Sequence, residues 1–254
     1  MKTMDAVRAT FAYAFVGLFV VLMTPVGLLI AALTKKYDFI YDLARFCIRV
    51  AGVICGVRVK ITGKEKIRPG QSYLFLSNHQ GNLDGPVLFH AIPRNWRALI
   101  KKEMMQLPVL SLVLKKVHFV PIDRQNPAKA HASIEEAATF LAAGHSFIAF
   151  PEGTRSRDNR LGTFKKGAFI MALKAQMPVM PVSIINSSRI QPAGAYGIRP
   201  GTIEVVFHDP IFTAGMLPGD RDRLSEMTRA AISSALPNPE SVESTSAGRS
   251  VSFP

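Results

Sequence analysis

His79 and Asp84 stand five residues apart in the run LFLSNHQGNLDGP, residues 74–86. On one straight helix that spacing turns the two side chains about 140° apart, so they could not meet there. A loop carrying His79 into a helix with Asp84 at its N-cap and Pro86 in its first turn lets the carboxylate fold back onto the imidazole. A carboxylate on one ring nitrogen fixes the tautomer and leaves the other nitrogen as a general base. Taken alone, the pair also fits an ordinary loop hydrogen bond.

A second loop follows the apolar run Phe147–Phe150 and reads Pro151-Glu152-Gly153-Thr154-Arg155-Ser156, with Thr163-Phe164-Lys165-Lys166-Gly167 opening a helix soon after. Gly153 permits close backbone approach, Arg155, Lys165 and Lys166 supply positive charge, and a helix N-terminus lies nearby. Together these are the elements of a phosphate site. A third loop ends in Asp123-Arg124 and brings another guanidinium, whereas Val179–Ile184 is apolar and suited to walling a pocket.

These loops need a scaffold that ends strands where helices begin. Short apolar runs at Val57–Ile61, Tyr73–Ser77, Arg97–Ile100, Val117–Ile122, Phe147–Phe150, Val179–Ile185 and Ile203–Phe207 read as strands. Helical segments at 85–91, 107–115, 127–143, 165–176 and 220–235 alternate with them. The alternation predicts an α/β fold, a mixed and largely parallel sheet covered by helices, with ligand sites at the strand ends.

Before that body, Thr10–Thr34 carries no charged residue and is long enough for a bilayer core of about 30 Å. Phe39–Val59 then places Asp42, Arg45 and Arg49 at helical spacing, as in a helix lying in a membrane interface or packed on a core. Residues 1–56 are therefore expected to be membrane-anchoring helices, with Pro25 a place for a kink. Either the pair dips into one leaflet, or the first helix spans and the second lies in the interface. Residues 57–235 form the α/β domain, and 236–254, rich in Pro, Ser and Glu, an expected disordered tail.

Of 254 residues, 31 are Lys or Arg and 18 Asp or Glu, a formal charge of +13, while 48% are hydrophobic. Such a chain is not mostly disordered, and its basic surface calls for an anionic partner. Basic residues fall in scattered pairs without a recognition-helix or RNP-type pattern, which argues against nucleic acid. Cys47 and Cys55 lack zinc or disulfide-scaffold spacing, and His90, His118, His131, His145 and His208 lack metal-ligand spacing, so no metal is expected.

The four segments in this order resemble the glycerolipid acyltransferase family, in its 1-acylglycerol-3-phosphate acyltransferase branch. Asn78-His79, four residues and Asp84 match its first block, Phe150–Ser156 its third without a change, and Phe164–Gly167 the stretch that commonly follows. His118–Arg124 and Val179–Ile184 match the second and fourth blocks more loosely; Gln80-Gly81-Asn82-Leu83 departs from the aromatic residues of many relatives.

The resemblance implies transfer of a fatty acyl group from acyl-CoA or acyl carrier protein to lysophosphatidate, with no cofactor beyond that thioester co-substrate. His79 would be the base and Asp84 its partner. Arg155, Arg124, Lys165 and Lys166 would hold the phosphate, with Glu152 on the glycerol, Thr154 beside it and the Gly153 amide on the oxyanion. The partners implied are membrane lipid, lysophosphatidate and the acyl donor, at the cytoplasmic face of the inner membrane. Rival readings are another acceptor such as glycerol 3-phosphate or a different lysolipid, thioester hydrolysis, and a non-catalytic membrane-binding module.

Overall fold

The computed structural model describes residues 2–93, 96–123, 125–156 and 160–237. Two helices come first, α1 (Lys2–Thr34) and α2 (Asp38–Cys55). The strands are β1 (Val57–Thr62), β2 (Leu74–Ser77), β3 (Trp96–Lys101), β4 (Val120–Ile122), β5 (Ser146–Ala149), β6 (Val179–Ile185) and β7 (Gly201–Phe207). Between them run α3 (Asp84–Ala91), α4 (Pro108–Lys116), α5 (Pro127–Ala142), α6 (Gly167–Ala175) and the short α7 (Ser187–Ile190), and α8 (Arg221–Ser234) follows β7.

The strands form one seven-stranded sheet in the order β1-β7-β6-β2-β5-β3-β4. Every neighbouring pair is parallel except β6 with β7. From β2 the chain crosses through α3 past β5 to β3; from β5 it crosses through α6 past β2 to β6. Right-handed crossovers running in opposite directions put α3 and α6 on opposite faces of the sheet. The core agrees. Tyr73, Phe75 and Ile148 pack with Val87, Leu88 and Ala91 of α3, while Leu74, Leu76, Phe147 and Ala149 pack with Phe169, Met171 and Ala172 of α6. The crevice between the C-terminal ends of β2 and β5 is therefore a topological switch point, where open α/β sheets bind ligands.

Three expectations shift. The run Val117–Ile122 gives a strand only from Val120, because α4 continues to Lys116 and His118 closes it with φ 55°, its N–H bonded to Lys115 O. The apolar Val179–Ile184 is buried β6 between β2 and β7, a core strand rather than a pocket wall. Of the expected tail, residues 238–254 lie outside the described residues.

Helix α1 has 33 residues, so it is about 50 Å long, and it runs on through Pro25. By length and composition it is a candidate membrane anchor. Ala9, Ala12 and Ala31 are buried, and Gly27 lies against Ile40 and Leu43 of α2. Leu18, Leu22, Val26, Leu29 and Leu33 form an exposed stripe at helical spacing, which Phe39, Phe46 and Val53 of α2 extend. Of the residues expected on the basic face of α2, Arg49 is exposed, whereas Arg45 Nη2 turns inward to donate to Ile92 O.

Candidate active site

Strand β2 ends at Ser77, and the buried Asn78 locks that end to β6. Its Nδ2 donates to Ile184 O at 2.8 Å, and its Oδ1 accepts from Ile184 N at 2.7 Å. The side-chain amide thus continues the ladder where the backbone leaves it. His79 follows, with its Nδ1 2.7 Å from Asp84 Oδ2.

That same oxygen accepts from Gln80 N at 2.7 Å and Gly81 N at 2.8 Å. The buried carboxylate oxygen thus takes three hydrogen bonds, and a proton on Nδ1 lets the imidazole donate the third of them. Asp84 was expected at the helix N-cap; it is instead the first residue of α3, after an N-cap at Leu83, and it caps the loop rather than the helix. Gly81 is required because a Cβ there would lie 2.8 Å from the backbone C and O of Ser187.

The loop after β5 meets this one directly. Phe150 stacks on the His79 ring with centroids 4.0 Å apart and planes 16° from parallel, and Ser156 N donates to His79 O at 2.8 Å. Glu152 is 4% exposed, and each carboxylate oxygen has a backbone partner. Oε1 accepts from His79 N and Oε2 from Gly162 N, both at 2.8 Å. Burial pushes the carboxyl above its ordinary range, and the two N–H groups pull in the other direction. From α8, Arg229 supports Gly162 by donating to Gly162 O and Leu161 O.

Two of the groups expected on substrate have partners within the protein. Glu152, expected on the substrate glycerol, holds the backbone of His79. The Gly153 amide, expected on an oxyanion, donates to Phe150 O at 3.0 Å in a turn with φ 71°.

Thr154 and Arg155 are exposed, and Arg155 Nη1 donates to Asn82 Oδ1. Lys165 is brought close, since a Cβ on Gly153 would touch its side chain at 2.9 Å. Its backbone N–H donates to Pro151 O, which delays the start of α6 to Gly167. Lys166 is the N-cap of α6, and its charge bears on Asp222 of α8. Arg124 lies outside the described residues, while its neighbour Asp123 is paired with Lys102 at 2.8 Å.

Among the described residues no three His, Cys, Asp or Glu side chains converge in a way that could hold a metal ion. Beside the loop lies an apolar cavity of about 670 Å³, lined by Leu83, Pro86 and Val87 on one side and by Val16, Leu43 and Ile48 of α1 and α2 on another. The site thus offers an imidazole held by a carboxylate, adjacent positive charge and an apolar chamber. Asn78, Asn82 and the positioning role of Glu152 were not anticipated from sequence. Asn78 directly before His79 was visible, but nothing in the chain pointed to its partner 106 residues away.

A model of the Acyltransferase family matches residues 58–185, half of the chain. The 1-acyl-sn-glycerol-3-phosphate acyltransferase of Limnanthes douglasii is 35% identical over 161 residues, 63% of this chain and 57% of that protein. The chloroplastic BAT2 enzyme of the same description from Brassica napus is 34% identical over 140 residues, 55% of this chain and 40% of that one. The chain thus spans about half the length of these curated relatives. The crystal structure of the 1-acyl-sn-glycerophosphate (LPA) acyltransferase PlsC from Thermotoga maritima superposes with a TM-score of 0.80 at 22% identity, covering 99% of this chain and 100% of that one. That likeness establishes the fold.

Proposed function

The chain belongs to the Acyltransferase family, and from that premise we propose that it moves a fatty acyl group from a thioester to the sn-2 hydroxyl of a 1-acylglycerol 3-phosphate, giving phosphatidic acid. The observation that carries this reading is the His79–Asp84 pair, set at the switch point beside Arg155. The names of the relatives supply the acceptor class.

His79 Nε2 takes the proton of the acceptor hydroxyl as its oxygen attacks the thioester carbonyl. The C–O bond forms, the C–S bond breaks, and the imidazolium returns the proton to the departing thiolate. Asp84 stabilises the transient imidazolium, and a base so positioned contributes about 10²–10⁴-fold. No enzyme-bound acyl intermediate is required, because the thioester is already activated. Arg155 and Lys165 bind the phosphate and aim the hydroxyl. The chamber beside Leu83 and Pro86 suits an acyl chain.

The donor is acyl-CoA or acyl carrier protein. The exposed apolar stripes of α1 and α2 enter the membrane and anchor the domain to it. The α/β domain, residues 57–235, lies on the cytoplasmic side of the inner membrane, where the donor is made. The test offers lysophosphatidate, glycerol 3-phosphate, a neutral lysolipid and no acceptor to the membrane-bound protein with a labelled acyl thioester. Phosphatidate from lysophosphatidate alone is the expected result. Preference for another acceptor changes the acceptor assignment, and thioester loss without any acceptor replaces transfer with hydrolysis.

A further inference from the structure

The binding role proposed for Arg155 rests on a guanidinium that stands exposed on a loop, so something must aim it. Arg155 Nη1 donates to Asn82 Oδ1, and Asn82 is itself fixed from behind. Its Nδ2 donates to Ala195 O at 3.1 Å and its backbone N–H to Gln191 O at 3.1 Å, while Gly81 bridges Pro192 in antiparallel fashion.

The segment that supplies these partners is in turn gripped by the first turns of α1. Gln191 is 1% exposed, and its Nε2 donates to Tyr13 Oη at 2.5 Å and to Ala195 O at 3.1 Å. Tyr13 Oη donates to Tyr196 O at 3.3 Å, and the two tyrosine rings lie 5.3 Å apart. Thr10 Oγ1 meets Tyr196 Oη at 3.0 Å, and Ile198 N donates to Asp5 O at 3.2 Å.

We propose that Asn82 and Gln191 are positioning residues that transmit the seating of α1 to Arg155, so that binding of the acceptor's phosphate depends on how the apolar N-terminal helix sits. The inference builds on the phosphate role of Arg155 given above. The base shares the Gly81 backbone with this bridge but has supports of its own. His79 is set by Asp84, Glu152 and Phe150, and the neighbouring Asn78 is held by β6. Loosening the bridge therefore acts on acceptor affinity and leaves proton transfer in place.

The experiment measures kcat and the acceptor KM for Asn82→Ala, Gln191→Leu and Tyr13→Phe, each alone and combined with Arg155→Ala. Tyr13→Phe keeps the ring and deletes only the hydroxyl, so a folded variant is at hand if the others unfold. Asn82→Ala and Gln191→Leu are expected to raise the acceptor KM by roughly 10-fold or more, with kcat within about 3-fold, because a group misplaced by an ångström loses its aim. Tyr13→Phe raises KM by about 2- to 5-fold, because it removes both hydrogen bonds of the hydroxyl while Gln191 Nε2 keeps Ala195 O. In the Arg155→Ala background each of these increases disappears, since the bridge then has nothing to aim.

If Arg155→Ala raises KM and the bridge variants do not, or if their effects persist undiminished without Arg155, the bridge is refuted and the phosphate site stands. If Arg155→Ala itself leaves the acceptor KM unchanged, the proposed role of Arg155 falls, and the bridge falls with it.

Discussion

Glu152→Gln separates two ways of reading the loop after β5. The carboxylate accepts one backbone N–H on each oxygen, His79 N and Gly162 N, both at 2.8 Å. A glutamine keeps one oxygen and must turn its NH₂ toward the other N–H, so one charge-assisted bond is lost and two donors face each other. A hydrogen bond to a charged group is worth about 1.5–3 kcal/mol. If that loosening is felt in full where His79 takes its proton, kcat falls about 10- to 150-fold, at 1.36 kcal/mol per factor of ten. Global stability should fall less, because the glutamine escapes the cost of burying a carboxylate, the same cost that raises the Glu152 pKa. Initial rates against acceptor concentration at saturating thioester give both parameters. A kcat within about 3-fold of wild type, with an acceptor KM raised 10-fold, would return Glu152 to the substrate and refute the positioning role.

Three further outcomes are expected. Asn78→Ala leaves Ile184 N and O without partners in a buried strand, at about 2–4 kcal/mol; thermal unfolding should then drop by roughly 5–15 °C, and no drop would mean that water replaces the amide. Arg155→Ala should raise the acceptor KM far more than the donor KM, which steady-state titration of each substrate reads directly. Stability should decline on acidification from about pH 7 to pH 5.5. Burial lowers the pKa of His90, His145 and His208 below 6.5, so the unfolded chain takes up protons first, and the stability they contribute above 6.5 is lost as pH falls through their folded values. Glu152 has the opposite sign: its raised pKa stabilises the fold below 4.5, and that contribution is lost as pH climbs through its folded value. A denaturation midpoint that rises on acidification would contradict the assignment of the decline to these histidines.

Much of the scaffold was legible because apolar runs and turn residues are local signals. All seven strands were anticipated, as were five of the helices to within about two residues. Where the reading slipped, a backbone hydrogen bond in a turn or between loops decided. His118 takes a left-handed conformation to close α4, which shortens β4, and the bond from Lys165 N to Pro151 O holds back the start of α6. The meeting of His79 with Asp84 was legible because both lie in one short loop. The work of Glu152, Asn78, Asn82 and Gln191 was not, since each bonds to a strand or loop distant in sequence, and polar residues carry no periodic mark of their partner. Arg45 shows the same limit, because spacing revealed its face of α2 but not that its guanidinium would turn to Ile92 O.

The central claim is that His79 removes the acceptor's proton. Membranes carrying wild-type or His79→Ala protein, matched for the amount of folded enzyme, should be supplied with acyl thioester and lysophosphatidate and assayed for phosphatidate. Loss of about 10²–10⁴-fold in turnover, with thermal unfolding unchanged, is the predicted result. Turnover within a few-fold of wild type would contradict it.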